Sequence, residues 1–341
     1  MLHLRRISVK EVFPRDGLQN NPEFLGLVRR DAETAITHRI RMVELLAAAG
    51  APLLEVCAFT GSALVAMAQP NLVLSRAIDF VSQLKNQPEL SGLVFSTAAH
   101  PMVYVERAIG AGLLRGALVM SAHPEHCQAN TGAFPQELLA RYSGILNHPL
   151  VQQSGICFSA YLSTCWGHRT TDDVSLEEVY RLTQQLLELD VVEVTWSDTA
   201  AHGTAETIFA RITALGQRGI DLGRIGFHAH DPDWRQGVGV ANILAAIEAG
   251  IHRVDSSLLG LGGCPATDHA HGNVATEDLV QALHQSGNNT GIKMDQLRLA
   301  ADHAVRQMRL PVCGHVFNDW DFQHAGPKDS APSSEISERT F

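Results

Sequence analysis

Phe227-His228-Ala229-His230-Asp231 closes the run Arg224–His230, which reads as a β-strand. Residues two apart on a strand point to the same side, so His228 and His230 present both imidazoles to one point at its carboxyl end. Seven further strand-like runs surround it: Ser8–Pro14, Pro52–Phe59, Leu93–Thr97, Arg115–Ser121, Gly155–Leu162, Val191–Ser197 and His252–Ser257. Helix-period stretches lie between them: Thr34–Ala49, Leu64–Lys85, Pro101–Gly110, Pro135–Leu146, Ser175–Leu189, Thr204–Arg218 and Arg235–Ala249. Eight strands alternating with helices over about 250 residues predict an α/β fold, the (β/α)8 TIM barrel. A doubly wound open sheet is the competitor. The barrel is preferred because polar, chemically able residues recur at strand ends. Arg15 and Asp16 follow strand one, and Glu55 lies in strand two. Ser163 ends strand five, Asp198 ends strand six, and the histidines end strand seven. A barrel gathers these ends on one face, whereas an open sheet spreads them along an edge.

Residues 1–290 are expected to form the barrel. Residues 291–325 form a short C-terminal helical extension, with a helix near Asp295–Met308. Residues 326–341 carry almost no apolar side chain and are expected to be a disordered tail.

The chain has 341 residues, 45% hydrophobic and 18% charged, which suits a water-soluble protein with a large core. A net charge of −10 argues against nucleic acid or an anionic membrane as partner. No apolar run approaches the length of a membrane span, and the first residues lack a signal-peptide core. The six cysteines form no C-x-x-C pair and read as reduced thiols of a cytoplasmic protein.

Two more segments carry chemistry. Pro14-Arg15-Asp16-Gly17-Leu18-Gln19-Asn20 sets a cation beside a carboxylate, and Gly260-Leu261-Gly262-Gly263-Cys264-Pro265 is a glycine-rich loop with a thiol, followed by Gly272-Asn273. An H-x-H pair with a carboxylate and an amide oxygen makes a mixed nitrogen–oxygen set for a divalent cation, with Asp16 and Asn273 as candidates. The plainer alternatives stay open: among 17 histidines chance pairs occur, and Asp16 and Asn273 each suit an ordinary turn. Cys264 is distinguished from a buried structural thiol by its loop, which can close over a substrate.

Together with Asp255-Ser256-Ser257 and Gly272-Asn273-Val274-Ala275-Thr276-Glu277-Asp278-Leu279, these motifs resemble the 3-hydroxy-3-methylglutaryl-CoA lyase family of metal-dependent barrel lyases and synthases, in order from about Ser8 to Gly287. The resemblance implies Mg²⁺ or Mn²⁺ held by Asp16, His228, His230 and Asn273. It implies Arg15 as stabiliser of an enolate oxygen, Cys264 as the loop thiol of catalysis, and His228 and Asp16 within the catalytic set. Glu55 orders Arg15 or the metal water, and Gln19, Ser163 and Asp198 match pocket positions. The implied reaction is retro-aldol cleavage of an acyl-CoA thioester to acetyl-CoA and a 3-oxo acid, acetoacetate for the methyl substrate, by a homodimer. A related 3-hydroxy-3-substituted substrate, or a Claisen-type synthase joining an acyl-CoA to a 2-oxo acid, is the enzymatic alternative; a scaffold without activity is the other. The chain departs from the family pattern at Cys57-Ala58-Phe59-Thr60-Gly61-Ser62, His126–Thr131, Cys165-Trp166-Gly167-His168-Arg169 and His230-Asp231-Pro232-Asp233-Trp234. These departures read as drift within true lyases, as loop changes that never touch substrate, or as the mark of a different acyl group, in which case Trp166, His168 and Trp234 reshape the acyl pocket.

Overall fold

The computed structural model describes residues 5–60, 69–94, 101–171, 173–232, 237–263 and 272–317. Eight parallel strands close on themselves: β1 (Ser8–Glu11), β2 (Leu53–Phe59), β3 (Glu89–Val94), β4 (Arg115–Ser121), β5 (Cys157–Ser163), β6 (Glu193–Asp198), β7 (Ile225–Asp231) and β8 (Arg253–Ser256). Each pairs with its neighbour in sequence, β8 returns to β1, and the β6–β7 pairing leaves no gap in the ring. This is the (β/α)8 barrel read from the sequence. A short ninth strand, β9 (Gly272–Asn273), runs antiparallel to the end of β7, with Asn273 opposite His230.

The helices pack outside the ring. They are α1 (Pro22–Arg30), α2 (Ala32–Ala49), α3 (Pro70–Val81), α4 (Val103–Gly110), α5 (Pro124–Thr131), α6 (Pro135–Leu146), α7 (Pro149–Ser154), α8 (Leu176–Glu188), α9 (Ala205–Gln217), α10 (Val238–Glu248), α11 (Thr276–Gln285) and α12 (Met294–Arg306). Ser175 caps α8, as Glu178 N donates to Ser175 Oγ at 3.1 Å. Gly50 ends α2 with φ 95°, and a Cβ there would lie 2.5 Å from Gly291 O, so only glycine fits. That contact seats the C-terminal extension against the barrel, where α12 lies along α2.

Three helices escaped the sequence reading: α1, α5 and α7. Each opens with proline in its first turn, after a residue whose side chain accepts a backbone N–H: Asn21, His123 and His148. That pairing of a cap with an N-terminal proline was the available signal. Strand β3 starts at Glu89 rather than Leu93. A charged residue opens this apolar strand because Arg115 of β4 holds both Glu89 carboxylate oxygens, at 3.1 and 2.9 Å. The expected helix from Leu64 begins at Pro70 among the described residues, and the 326–341 tail lies outside them.

Two packing layers follow from strand alternation. Val9, Leu54, Phe158, Trp196, Phe227 and Val254 pack outward in the main core with the helices, whereas Ala58, Leu93, Ala117 and Tyr161 meet inside the lumen with Val119. A register shift between Glu55 and Cys57 inserts Val56 as a bulge, so Glu55 and Ala58 share the lumen side. The lumen towards the amino ends of the strands is charged and paired: Arg115 and Arg253 both reach Glu193 Oε2, at 3.0 and 3.5 Å. Pairing of charge there serves the barrel's stability, and chemistry belongs at the opposite rim.

Candidate active site

Beyond β1 the chain makes one wide turn, Phe13–Gly17, in which Asp16 and Gly17 both donate backbone N–H to Val12 O, at 2.7 and 3.4 Å. The turn lifts Arg15 and Asp16 to the carboxyl rim, where both side chains are buried. Arg15 Nε donates to Glu55 Oε1, and Arg15 Nη1 donates to Asp16 Oδ1 at 2.6 Å and to Gln19 Oε1 at 3.3 Å. Gln19 donates back to Asp16 Oδ1. Burial alone would raise the Asp16 carboxyl, but Arg15, His228 and Asn273 outweigh it and hold it below the usual range. Arg15 is likewise kept charged: burial disfavours the cation, and Asp16 and Glu55 overcome that.

The histidine pair points into the lumen as the strand period requires. His228 Nε2 lies 3.0 Å from His230 Nε2, and His228 Nδ1 lies 3.2 Å from Asp255 Oδ2. Burial raises Asp255, but Lys10 and His228 outweigh it and keep it ionised, so it accepts and His228 carries its proton on Nδ1. The Nε2 lone pair therefore faces the site. His230 is neutral, pushed down to about 3 by burial and by His228. Pairing of β9 on β7 brings in the amide of Asn273, whose Nδ2 donates to Asp16 Oδ2 at 2.6 Å and to Leu261 O at 2.9 Å.

Whether a divalent cation fits can be asked of these atoms. Octahedral coordination with bonds of roughly 2.1 Å places neighbouring donors about 3 Å apart, which is the His228–His230 nitrogen spacing of 3.0 Å. Asn273 Oδ1 is buried with no hydrogen-bond partner, an acceptor left over once Nδ2 is spent. A carboxylate, two imidazoles and an amide oxygen suit a borderline or hard cation. Among the described residues no group of three His, Cys, Asp or Glu is already drawn together as a metal cage; Asn273, bonded to Asp16 and opposite His230, links the carboxylate to the histidine pair.

The other expected residues divide. Ser163 is half-buried at the end of β5, on the lumen side and level with Ser121 of β4. Asp198 gives its carboxylate to the loop after β6, accepting from His202 N at 3.0 Å and Gly203 N at 2.8 Å. Burial pushes it up to about 6, against those two donors, and it shapes the rim rather than joining the histidine cluster. Trp166 turns away from the lumen. It packs edge-on against Phe227 in the outer core, beside the Arg211 guanidinium of α9, because a ring of that size fills the gap between strand and helix. His168 instead joins His123 and His126 near the β4 and β5 rims, with ring centroids 5.1 and 4.6 Å away. Cys264 and Trp234 lie outside the described residues.

Three contributors went unassigned in the sequence: Lys10, Tyr161 and Asp255. Each sits on the lumen face of its strand by the same two-residue alternation, and a lysine inside the first strand was the visible sign.

A family model described as HMGL-like matches residues 6–303. The chain belongs to the HMGL-like family. It is 28% identical over 312 residues to the hydroxymethylglutaryl-CoA lyase of Bacillus subtilis, covering 92% of this chain and 96% of that one. It is 29% identical over 302 residues to the cytoplasmic 3-hydroxy-3-methylglutaryl-CoA lyase of Danio rerio, covering 89% and 83%. The crystal structure of the B. subtilis HMG-CoA lyase superimposes with a TM-score of 0.78, over 92% of this chain and 97% of that one. The site described above thus lies on an HMGL-like barrel, and enzymes of this family are metal-dependent.

Proposed function

We propose that this HMGL-like protein is a metal-dependent carbon–carbon lyase. It cleaves a 3-hydroxy-3-methylglutaryl-CoA-like thioester to acetyl-CoA and a 3-oxo acid, which is acetoacetate for the methyl substrate. The observation that carries the reading is the convergence of Asp16, His228, His230 and Asn273 at the rim where Arg15 is anchored. Those four residues would hold Mg²⁺ or Mn²⁺. A divalent cation supplies Lewis-acid stabilisation of charge developing on the substrate's oxygens.

In the retro-aldol step the C3 hydroxyl loses its proton to the Cys264 thiolate, the C2–C3 bond breaks, and its electron pair passes to the thioester as an enolate. Arg15, held by Glu55, Asp16 and Gln19, offers its guanidinium to that enolate oxygen without having to reorganise. Asp255 fixes the tautomer and tilt of His228. Cys264, next in sequence after Gly263, serves as the acid–base thiol, and protonation at C2 completes acetyl-CoA. Need for that thiol favours cleavage over the synthase direction.

Metal-dependent release of acetyl-CoA from a panel of 3-hydroxy-3-substituted thioesters, with products identified by mass, tests the reading. No cleavage of any member, or cleavage indifferent to chelation, refutes it. The methyl substrate is placed first because Trp166, one of the altered residues, packs outside the lumen. Among the described residues no helix is long and apolar enough to cross a membrane. The five described cysteines are free thiols, which supports a cytoplasmic setting. The homodimer that the resemblance implies is tested by light scattering.

A further inference from the structure

Tyr161 stands in the middle of the lumen, directly beneath the site. Its hydroxyl lies 3.0 Å from Glu55 Oε2 and 3.0 Å from Asp255 Oδ2, and Lys10 Nζ donates to it at 3.0 Å. The two carboxylates lead to opposite halves of the site. Glu55 accepts from Arg15 Nε, and Asp255 accepts from His228 Nδ1. Among the described residues no other side chain hydrogen-bonds both carboxylates.

A phenol has one O–H, so it serves one of the two carboxylate oxygens at a time. Lys10 supplies charge that offsets their mutual repulsion: its Nζ is also 3.2 Å from Asp255 Oδ1. Without the hydroxyl, Glu55 Oε2 and Asp255 Oδ2 would lose the one group that contacts both, leaving Lys10 on the Asp255 side alone, in a region where Tyr161, Glu55 and Asp255 are all buried. The carboxylates would draw apart, each taking its partner with it.

We propose that Tyr161 is a positioning residue whose hydroxyl locks Arg15 and His228 into one arrangement by bridging Glu55 and Asp255. The effect on turnover rests on the lyase reading; the effect on the His228 ring does not. Its aromatic ring packs against Ala58, Leu93 and Ala117, and Tyr161→Phe keeps that packing while deleting the bridge.

The experiment has two readouts. In metal-free protein, the ¹⁵N resonances of the His228 imidazole are expected to shift in Tyr161→Phe, because Asp255 Oδ2, the oxygen that faces His228 Nδ1, loses the Tyr161 hydroxyl. In the metal-loaded enzyme, kcat is expected to fall roughly 10- to 100-fold, the usual cost of removing an outer partner of a metal site. KM should stay within about threefold, and the loss should be far from additive with Glu55→Gln, since both break one chain of contacts. A Tyr161→Phe protein with unmoved His228 resonances and unchanged kcat overturns the proposal. So does a loss matched by a lowered unfolding temperature and additive with Glu55→Gln. Should Tyr161→Phe fail to fold, Lys10→Met removes the donor to the same hydroxyl; His228 resonances that do not respond to it overturn the proposal equally. A wild-type protein that cleaves no thioester refutes the lyase reading alone, and the imidazole resonances still decide the role of Tyr161.

Discussion

Asn273 Nδ2 donates to Asp16 Oδ2 across 2.6 Å, joining the turn after the first strand to the strand that folds back on the seventh. The contact ties together residues 257 positions apart and leaves Asn273 Oδ1 buried and free beside the histidines. Backbone geometry nearby keeps it there.

Gly262 adopts φ +104°, and a Cβ on it would lie 2.4 Å from Asn273 Nδ2 and 2.9 Å from Asp16 O. Gly262→Ala therefore strains the loop by about 1–3 kcal/mol and displaces the asparagine. Calorimetric titration with Mn²⁺ should show clearly weaker binding with the barrel still folded by circular dichroism; wild-type affinity would contradict the placement of Asn273 in the shell.

His230 and Cys264 should separate metal binding from turnover. His230→Ala removes a proposed ligand and should abolish measurable Mn²⁺ affinity. Cys264→Ala should greatly weaken turnover while the same titration stays unchanged. Loss of metal in the cysteine variant would mean that the shell is wrongly drawn.

Arg15→Lys keeps the charge but not the fork that spans Glu55, Asp16 and Gln19 at once. Removing one preoriented donor to a developing oxyanion costs on the order of 10²–10³ in kcat. Steady-state kinetics should place the loss in kcat, with KM little altered; a change in KM alone would remove Arg15 from the transition state.

Stability should peak on the mildly acidic side of neutrality. Burial raises Glu277 from 4.5 to about 8, abetted by Asp278. Its folded value is above its unfolded one, so its contribution is full below pH 4.5 and is lost as pH rises through about 8. Each pH unit in that window costs about 1.4 kcal/mol. Burial lowers His126 from 6.5 to about 4. The unfolded chain therefore binds a proton that the folded protein refuses, and stability also falls as pH drops below 6.5. Urea unfolding from pH 5 to 8 should show a decline above pH 6 that Glu277→Gln flattens; an unchanged slope would mean that Glu277 titrates normally.

Strand alternation and turn composition made much of this protein legible. The order of eight strands, the facing of His228 and His230, and the cluster at the carboxyl ends follow from a two-residue period. Helices α1, α5 and α7 were hidden because each is short, and a single turn or two gives little periodicity to read. Trp166 shows a different limit: its position just past β5 suggested the pocket, but only packing reveals which side of the strand has room for an indole.

By itself the sequence determined the barrel, its rim and the residue types able to hold a cation, because local periodicity and side-chain chemistry are carried by adjacent residues. Tertiary structure alone decided the relations among them. The antiparallel return of Gly272–Asn273 sets the amide beside Asp16 and His230. Closure of the ring puts Lys10, Glu55, Tyr161 and Asp255 within hydrogen-bonding reach beneath the site. Those contacts span four strands, and the angle at which strands close a cylinder is a property of the whole ring that no single segment encodes.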